Sequence, residues 1–397
     1  MSNIGIIGAG YVGLVTGFGF AQLGHRINFI DLDKDKVSKL NNGKLPFYEP
    51  GLDQIITNKE IKSRVSYSSE YSKELIDLDV VFICVQTPKG DDEKANLNFL
   101  YDALDSTREA FGRDTIVCIK STFPPTFLDE LREHIDDVDS LVFNPEFLRE
   151  GSALHDFNNP DRIVIGGSKK RSLDFILDLY KNFDSEIILT DAVTALLIKY
   201  LSNAYLPMRL SFVNESLQIG DALGADIPVL LEGVGADKRI GKDYFRPSPG
   251  WGGSCFPKDT KSLKGMVNDR DLVSPLINAI DISNEKHSDW SVNKIIEINT
   301  SVQKSNIVLY GAAFKENTDD MRDSPTIKIY EKLKAAEINV HIFDEFDLGL
   351  DDSITKFDEI NDSLVVLMYP SSDLETIKKK LKSNNNAIFI PWDNKVL

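Results

Sequence analysis

Gly8-Ala9-Gly10-Tyr11-Val12-Gly13 constrains this chain more than any other segment. A GxGxxG pattern alone also arises as a packing cluster of glycines, so its setting must decide. The apolar run Asn3 to Ile7 leads into it, and the helical stretch Tyr11 to Leu23 leaves it. A second apolar run, Arg26 to Ile30, ends at Asp31, 18 residues after Gly13. That is the strand–turn–helix–strand order of a dinucleotide-binding unit. Gly8 permits the tight turn, Gly10 lets a pyrophosphate approach the backbone, and Gly13 lets helix and strand pack closely. The helix start, at Tyr11 and Val12, offers free N–H groups and the positive dipole end. Asp31 would accept hydrogen bonds from a ribose 2′-hydroxyl and repel a 2′-phosphate, which favours NAD over NADP. Lys36 lies one helical turn beyond Asp31 and either reaches the adenosine side or is an ordinary surface lysine.

Continuous Val/Ile runs bounded by Gly, Pro and Asn suit parallel strands covered on both faces. They recur at Val80–Val85, Thr115–Lys120, Leu141–Phe143, Arg162–Ile165 and Glu186–Leu189, so residues 1–190 read as one doubly wound α/β domain. Asp191 to about Leu223 then reads as one long helix containing Pro207, which cannot donate to the Asn203 carbonyl and should kink the helix there. Shorter helices fit Pro228–Gly233, Pro257–Val267 and Pro275–Ile298. Strand and helix alternate again from Asn306 onward, through Asn339–Phe343, Leu364–Met368 and Ala387–Ile390. The expected fold class is α/β: two Rossmann-like doubly wound domains, 1–190 and 301–397, joined by a central long-helix region, 191–300.

Composition closes other routes. Lys and Arg number 45 against 62 Asp and Glu, a net charge of −17, which disfavours nucleic acid and anionic membrane surfaces as partners. Apart from the glycine-interrupted N-terminal stretch, no run approaches the length of a membrane span. Three cysteines without a CxxC pair argue against a disulfide framework and for a reducing, cytoplasmic compartment. Five histidines, with no HxH or HxxxH pair, argue against a metal.

Cys84 and Cys118 sit in apolar strands and read as core thiols. Cys255 lies in Gly250-Trp251-Gly252-Gly253-Ser254-Cys255-Phe256-Pro257-Lys258-Asp259, where Pro257 suits a first helical position. A thiol just before a helix start, with Lys258 near, is favoured as thiolate and nucleophile; a buried loop cysteine is the alternative. Lys199 and Asn203 are spaced i, i+4 on a mostly apolar helix. They are either donors aimed at a developing oxyanion or, for the lysine, a snorkelling side chain at a domain edge. Thr87 and Thr122 each follow a strand, where ligands bind in open α/β sheets, though Thr also simply ends strands.

Taken in order, five blocks resemble one family: Gly8–Gly13; Asn144-Pro145-Glu146-Phe147-Leu148-Arg149-Glu150-Gly151; Lys199 with Asn203; Gly252–Asp259; and Gly311-Ala312-Ala313-Phe314-Lys315 followed by Arg322. The chain is similar over nearly its whole length to the UDP-glucose/GDP-mannose dehydrogenase family. The resemblance implies an NAD-binding domain, a central dimerisation region and a UDP-binding domain. Ser254-Cys255-Phe256-Pro257-Lys258-Asp259 resembles the glucose branch, where sister enzymes for UDP-N-acetylhexosamines carry His-Cys-Ile-Pro-Val-Asp. Trp251 departs from the expected Phe beside the sugar-contacting glycine.

By that resemblance, Glu146 and Thr122 would handle a catalytic water, and Phe147, Leu148, Arg149 and Glu150 would touch substrate. Glu150, Thr87, Thr122, Lys258 and Arg322 would lie near the cofactor. Tyr244, Phe245, Arg246, Pro247, Ser248, Gly252 and Lys315 would hold the sugar nucleotide, with Glu146, Lys199 and Asn203. Arg239 would enter the neighbouring subunit's site in a homodimer. The implied reaction is a four-electron, NAD-dependent oxidation of UDP-glucose to UDP-glucuronate, a polysaccharide precursor, through a thiohemiacetal and thioester on Cys255. A related UDP-hexose or UDP-N-acetylhexosamine oxidation is the nearest alternative. A two-electron alcohol dehydrogenase with a structural Cys255, and a nucleotide-sensing regulatory dimer, are the more distant ones. Counting NADH per substrate separates the first of these, and any turnover disposes of the second.

Overall fold

Alternation along each short apolar run decides which face of a sheet its side chains join. In the computed structural model, Val80 and Phe82 join one hydrophobic cluster while Val81 and Ile83 join another, so this run is covered on both sides. The structure describes residues 1–397 except 72–76, 89, 91–94, 111–114, 136, 347–348, 350–352, 355, 372 and 383. The chain divides into two compact units, Met1–Leu201 and Ser202–Leu397.

The first unit holds β1 (Asn3–Ile7), β2 (Arg26–Ile30), β3 (Val65–Ser68), β4 (Val80–Ile83), β5 (Ile116–Ile119), β6 (Val142–Phe143), β7 (Arg162–Gly166) and β8 (Glu186–Thr190). Their order across the sheet is β3-β2-β1-β4-β5-β6-β7-β8. All neighbours run parallel except β6 and β7. The first six strands follow the doubly wound dinucleotide order. β3 was not expected from the sequence: Val65-Ser66-Tyr67-Ser68 is a half-exposed edge strand, with too few buried side chains to stand out.

The second unit repeats the pattern with β9 (Asn306–Tyr310), β10 (Val340–Phe343), β11 (Ser353–Ile354), β12 (Ser363–Leu367), β13 (Ala387–Ile390) and β14 (Lys395–Val396). The order is β11-β10-β9-β12-β13-β14, parallel except for the last pair. Ile307 and Leu309 face one cluster, Val308 and Tyr310 the other. β11 and β14 are two-residue strands that apolar patterning does not reveal.

The helix Ala192–Leu223 has 32 residues, passes through Pro207 unbroken, and carries the chain from the first unit into the second. It is less buried than its apolar composition suggests: Leu201, Tyr205, Phe212 and Ile219 are 52–60% exposed. Their spacing of 4, 7 and 7 puts them on one stripe. The second unit also holds the helices Ile227–Gly235, Phe256–Asn268, Pro275–Val302, Pro325–Ala335 and Leu374–Lys382. Pro257 is the second, not the first, residue of its helix, because Phe256 begins it. Among the described residues, no helix is long and apolar enough to cross a membrane, and no group of three His, Cys, Asp or Glu residues could hold a metal ion.

Where β1 ends, Gly8 has φ 93° and donates its N–H to Ile30 O at 2.8 Å. A Cβ at Gly13 would lie 1.9 Å from Gly8 O, whereas one at Gly10 would meet nothing within 4 Å. Gly13→Ala should therefore lower unfolding stability by ~1–3 kcal/mol, and Gly10→Ala should leave it within ~0.5 kcal/mol. Denaturant midpoints of the two variants check this; equal losses would mean that the helix–strand approach is not what Gly13 serves.

Candidate active site

In the first unit, the candidate cofactor residues gather at the carboxyl ends of β1, β2, β4 and β5. Gly10 caps the helix Tyr11–Gln22 without any side-chain acceptor, and a Cβ at Gly10 would meet nothing within 4 Å. Tyr11 and Val12 are half-buried in that turn. Asp31 is locked from three sides: it accepts from Ala9 N at 2.8 Å and Asp33 N at 3.0 Å, and pairs with Lys36 Nζ at 2.8 Å. Lys36 is thus fixed beside Asp31 rather than loose on the surface. Thr87 is buried and donates its hydroxyl to Thr122 O at 2.6 Å, so the two strand-end loops are joined.

The segment after β6 folds back on itself. Glu146 accepts from Leu148 N at 2.7 Å and from Lys199 Nζ at 2.9 Å. Lys199 also donates to Glu146 O at 2.7 Å and is only 3% exposed. Phe147 lies under the Arg162 guanidinium at 3.7 Å and the Lys199 ammonium at 5.3 Å. Arg149 grips Asp156 through Nε at 2.9 Å, an Nη at 2.5 Å and its own N–H at 2.8 Å. Glu150 is half-buried and adds to the negative field at Tyr11.

In the second unit, Cys255 immediately precedes the helix Phe256–Asn268, as expected, and remains partly exposed. Its Sγ is 3.6 Å from Ser254 Oγ. The glycines before it are required: Gly253 has φ 89° and donates to Arg322 O at 3.1 Å, and a Cβ at Gly252 would lie 1.9 Å from Asp323 O. Phe314 packs over Gly253, and Lys315 Nζ lies 5.4 Å from the Phe314 ring centre. The cysteine turn and the Phe314–Arg322 segment are therefore brought together. Asp259 is 1% exposed and held between Asn203 Nδ2 at 2.7 Å and Lys258 Nζ at 2.6 Å. Arg239 pairs with Asp237 on exposed surface, and the exposed Arg322 with the largely buried Asp320.

Tyr244 and Arg246 are exposed and Phe245 and Pro247 buried, so this loop turns alternate side chains outward. Helical side chains pin it. Ser248 N donates to Asn214 Oδ1 at 3.0 Å, and Asn284 bonds both the N–H and the carbonyl of Trp251, at 3.0 and 2.9 Å. The Trp251 ring is buried, with Nε1 donating to Ser211 Oγ at 3.0 Å, so this departure from the family pattern is absorbed by the helix.

Sequence reasoning missed the residues that hold these loops. Glu49 is 2% exposed and accepts from Tyr11 Oη at 2.5 Å, Gly151 N at 2.7 Å and Ala153 N at 2.7 Å. It ties the dinucleotide helix to the 146–151 segment. Burial, and then Glu49, push the Tyr11 hydroxyl well above the ordinary tyrosine range. The only local signal is an acid in the turn-like Tyr48-Glu49-Pro50-Gly51. Asn214, Asn284 and His287 gave no signal, being single polar residues on helices.

Comparison with known proteins bears on all of this. Profiles of the UDP-glucose/GDP-mannose dehydrogenase family match residues 2–184 (NAD binding domain), 193–286 (central domain) and 308–361 (UDP binding domain). The chain is 38% identical over 395 residues to a UDP-glucose 6-dehydrogenase of Rickettsia bellii, covering 98% of this chain and 88% of that one. It is 38% identical over 348 residues to UDP-glucose 6-dehydrogenase YwqF of Bacillus subtilis, covering 86% and 79%. Its fold matches a UDP-glucose dehydrogenase structure from Pyrobaculum islandicum with TM-score 0.83 and 31% identity, covering 94% and 91%.

His287 gives the loop a pH dependence. It bridges Gln218 Nε2 at 2.8 Å and Ser248 O at 2.7 Å, and burial lowers its pKa to about 4. The hydrogen bond to Ser248 O and then the charge of Glu215 oppose that shift. Between about pH 6.5 and 4 the unfolded chain binds the proton and the native state does not, so stability falls as pH falls through that window. From pH 7 to 5 the loss attributable to His287 should be about 2 kcal/mol. Denaturant unfolding at both pH values should show it in wild type and much less in His287→Gln; an unchanged slope in the variant would contradict this.

Proposed function

The chain belongs to the UDP-glucose/GDP-mannose dehydrogenase family, and on that premise we propose that it oxidises the C6 alcohol of UDP-glucose to the carboxylate of UDP-glucuronate. The single observation that carries the four-electron reading is Cys255. Of three thiols, Cys84 and Cys118 are buried in the first sheet, where burial pushes Cys84 up to about 12 and Cys118 higher still. Cys255 alone is partly exposed, at a helix start in a glycine turn. A structural thiol needs neither feature.

The open N-terminus at Gly10 and the fixed Asp31 suit NAD. Gly8, Gly10, Tyr11, Val12, Gly13, Asp31 and Lys36 would hold its adenosine diphosphate part, and Thr87, Thr122, Glu150, Lys258 and Arg322 the remainder. When bound, NAD accepts one hydride in each of two oxidations. Asp259, through a water or Lys199, takes the proton of the C6 hydroxyl. The Cys255 thiolate adds to the C6 aldehyde, forming a thiohemiacetal that keeps the aldehyde from escaping. Loss of the second hydride leaves a thioester, and water, oriented by Glu146 and Thr122, releases the acid and the thiol. Lys199 and Asn203 stabilise the negative oxygen in each tetrahedral species. Phe147 to Arg149, Tyr244 to Ser248, Gly252 and Lys315 hold the sugar nucleotide. The segments 1–190, 191–300 and 301–397 carry cofactor, dimer contact and UDP-sugar respectively. Three free thiols suit a reducing, cytoplasmic setting.

The exposed stripe Leu201, Tyr205, Phe212 and Ile219 supports a homodimer, since an apolar face of that length calls for a cover. Two-fold symmetry is the commonest closed solution. Arg239, exposed beyond that helix, is free of its own unit's core and suits the partner's diphosphate.

Two NADH should form per UDP-glucose consumed, with UDP-glucuronate as product; one NADH and an aldehyde would return Cys255 to a structural role. Cys255→Ser should keep NAD binding and lose steady-state acid formation by at least about a thousandfold. Arg239→Ala should weaken UDP-sugar binding and spare NAD. Mixing Arg239→Ala with Cys255→Ser subunits should restore part of the activity, because a heterodimer then has one intact site. No recovery despite demonstrated subunit exchange would place Arg239 outside the partner's site.

A further inference from the structure

The turn that closes β9 repeats, bond for bond, the turn that closes β1. Gly8 has φ 93° and Gly311 φ 104°. Gly8 N donates to Ile30 O, the last residue of β2, at 2.8 Å; Gly311 N donates to Phe343 O, the last residue of β10, at 2.8 Å. Ala9 N donates to Asp31 Oδ2 at 2.8 Å, and Ala312 N to Asp344 Oδ2 at 2.7 Å. The second carboxylate oxygen accepts from the residue two further on, Asp33 N at 3.0 Å and Phe346 N at 2.9 Å. Asp344 thus occupies in the second sheet the place that Asp31 occupies in the first. Each carboxylate keeps lone pairs beyond its backbone bonds.

The two turns part company after this point. Gly10, over which a Cβ would meet nothing, corresponds to Ala313, which is 1% exposed. The first helix begins at Tyr11 with no side-chain cap, whereas the second begins only at Pro325 and is capped by Ser324, which accepts from Thr326 N. The second turn has kept the half of a dinucleotide site that reads a ribose and lost the half that reads a pyrophosphate. Asp31 pairs with Lys36 at 2.8 Å, whereas among the described residues Asp344 has no cation within ion-pair distance and its further donors, Ala313 N and Tyr369 Oη, stand at 3.5 Å, so a sugar hydroxyl meets weaker competition there.

We propose that Asp344 is the acceptor for the ribose hydroxyls of the nucleoside diphosphate, making this unit selective for a ribonucleotide whose phosphates leave away from the β9 turn. The proposal rests on the UDP-sugar reading above and assigns a specificity residue to it. Calorimetric titration of the full chain with UDP, 2′-deoxy-UDP and 3′-deoxy-UDP tests it. Wild type should bind at least one deoxy analogue about tenfold more weakly than UDP. Asp344→Asn should bind UDP about tenfold more weakly, show no further loss with that analogue, and bind NAD as wild type does. Equal binding of all three nucleotides by wild type overturns the proposal while leaving the UDP-sugar reading intact, and this arm needs no variant to fold. A deoxy penalty that survives in Asp344→Asn overturns it too. No UDP binding at all by wild type removes both.

Discussion

Both sheets of this structure depend on one constraint: a chain leaving the carboxyl end of a central parallel strand must reverse within two residues while its backbone stays hydrogen-bonded. Gly8 and Gly311 meet it with φ values of 93° and 104°, which an L side chain rarely adopts. Close approach adds a second demand. At Gly8 a Cβ would lie 2.8 Å from Cys84 O, and at Gly311 2.5 Å from the Tyr369 ring. The acid at the end of the neighbouring strand then fixes the turn by accepting from its next amide. Turn, acid and strand order form one device, and the molecule contains it twice.

Loops at the other strand ends are held by buried polar groups, not by apolar packing. Lys120 donates to Asn144 Oδ1 at 2.9 Å, Tyr180 Oη donates to the same oxygen at 2.7 Å, and Asn144 Nδ2 reaches Val164 O at 2.8 Å. Burial lowers the Lys120 pKa, which measures what it costs to keep an ammonium there. The arrangement joins the loop carrying Thr122 to the one carrying Glu146. Glu49 does the same for the dinucleotide helix and Gly151, using only neutral donors and the starts of two helices. A partly satisfied network would be worse than an apolar core, so these loops have one arrangement in which every partner is present.

Both sheets were legible because Val80–Ile83, Ile116–Ile119, Asn306–Tyr310 and Ala387–Ile390 are short, apolar and bounded by turn formers. The cysteine turn was legible because glycine, cysteine and proline each leave a specific physical trace. Edge strands were not, since Val65–Ser68 buries too little to show a period. Nor were the residues that hold loops: Glu49, Asn214 and Asn284 act through backbone amides distant in sequence, and no local pattern marks an amide that needs a partner. Lys199 and Asn203 each donate to a carboxylate, Glu146 and Asp259 respectively, partners that the i, i+4 spacing alone does not reveal.

That pairing separates binding from chemistry in a chain whose net charge is −17. Lys36, Arg149, Lys199, Arg239, Lys258 and Arg322 each pair with an acid of the same chain. For exposed pairs the bond is weak, typically ~0–1 kcal/mol. Arg239, with its side chain 89% exposed and that of Asp237 37% exposed, can therefore exchange Asp237 for an anionic ligand at little cost, whereas Arg322 is held by an Asp320 side chain only 11% exposed. Lys199 and Glu146, at 4% and 9%, cannot be separated so cheaply, because either charge left alone in that setting is strongly penalised. On the proposed reading, its exposure suits Arg239 to capture a diphosphate. On the same reading, the buried pairs stay in place while the bonds at C6 change.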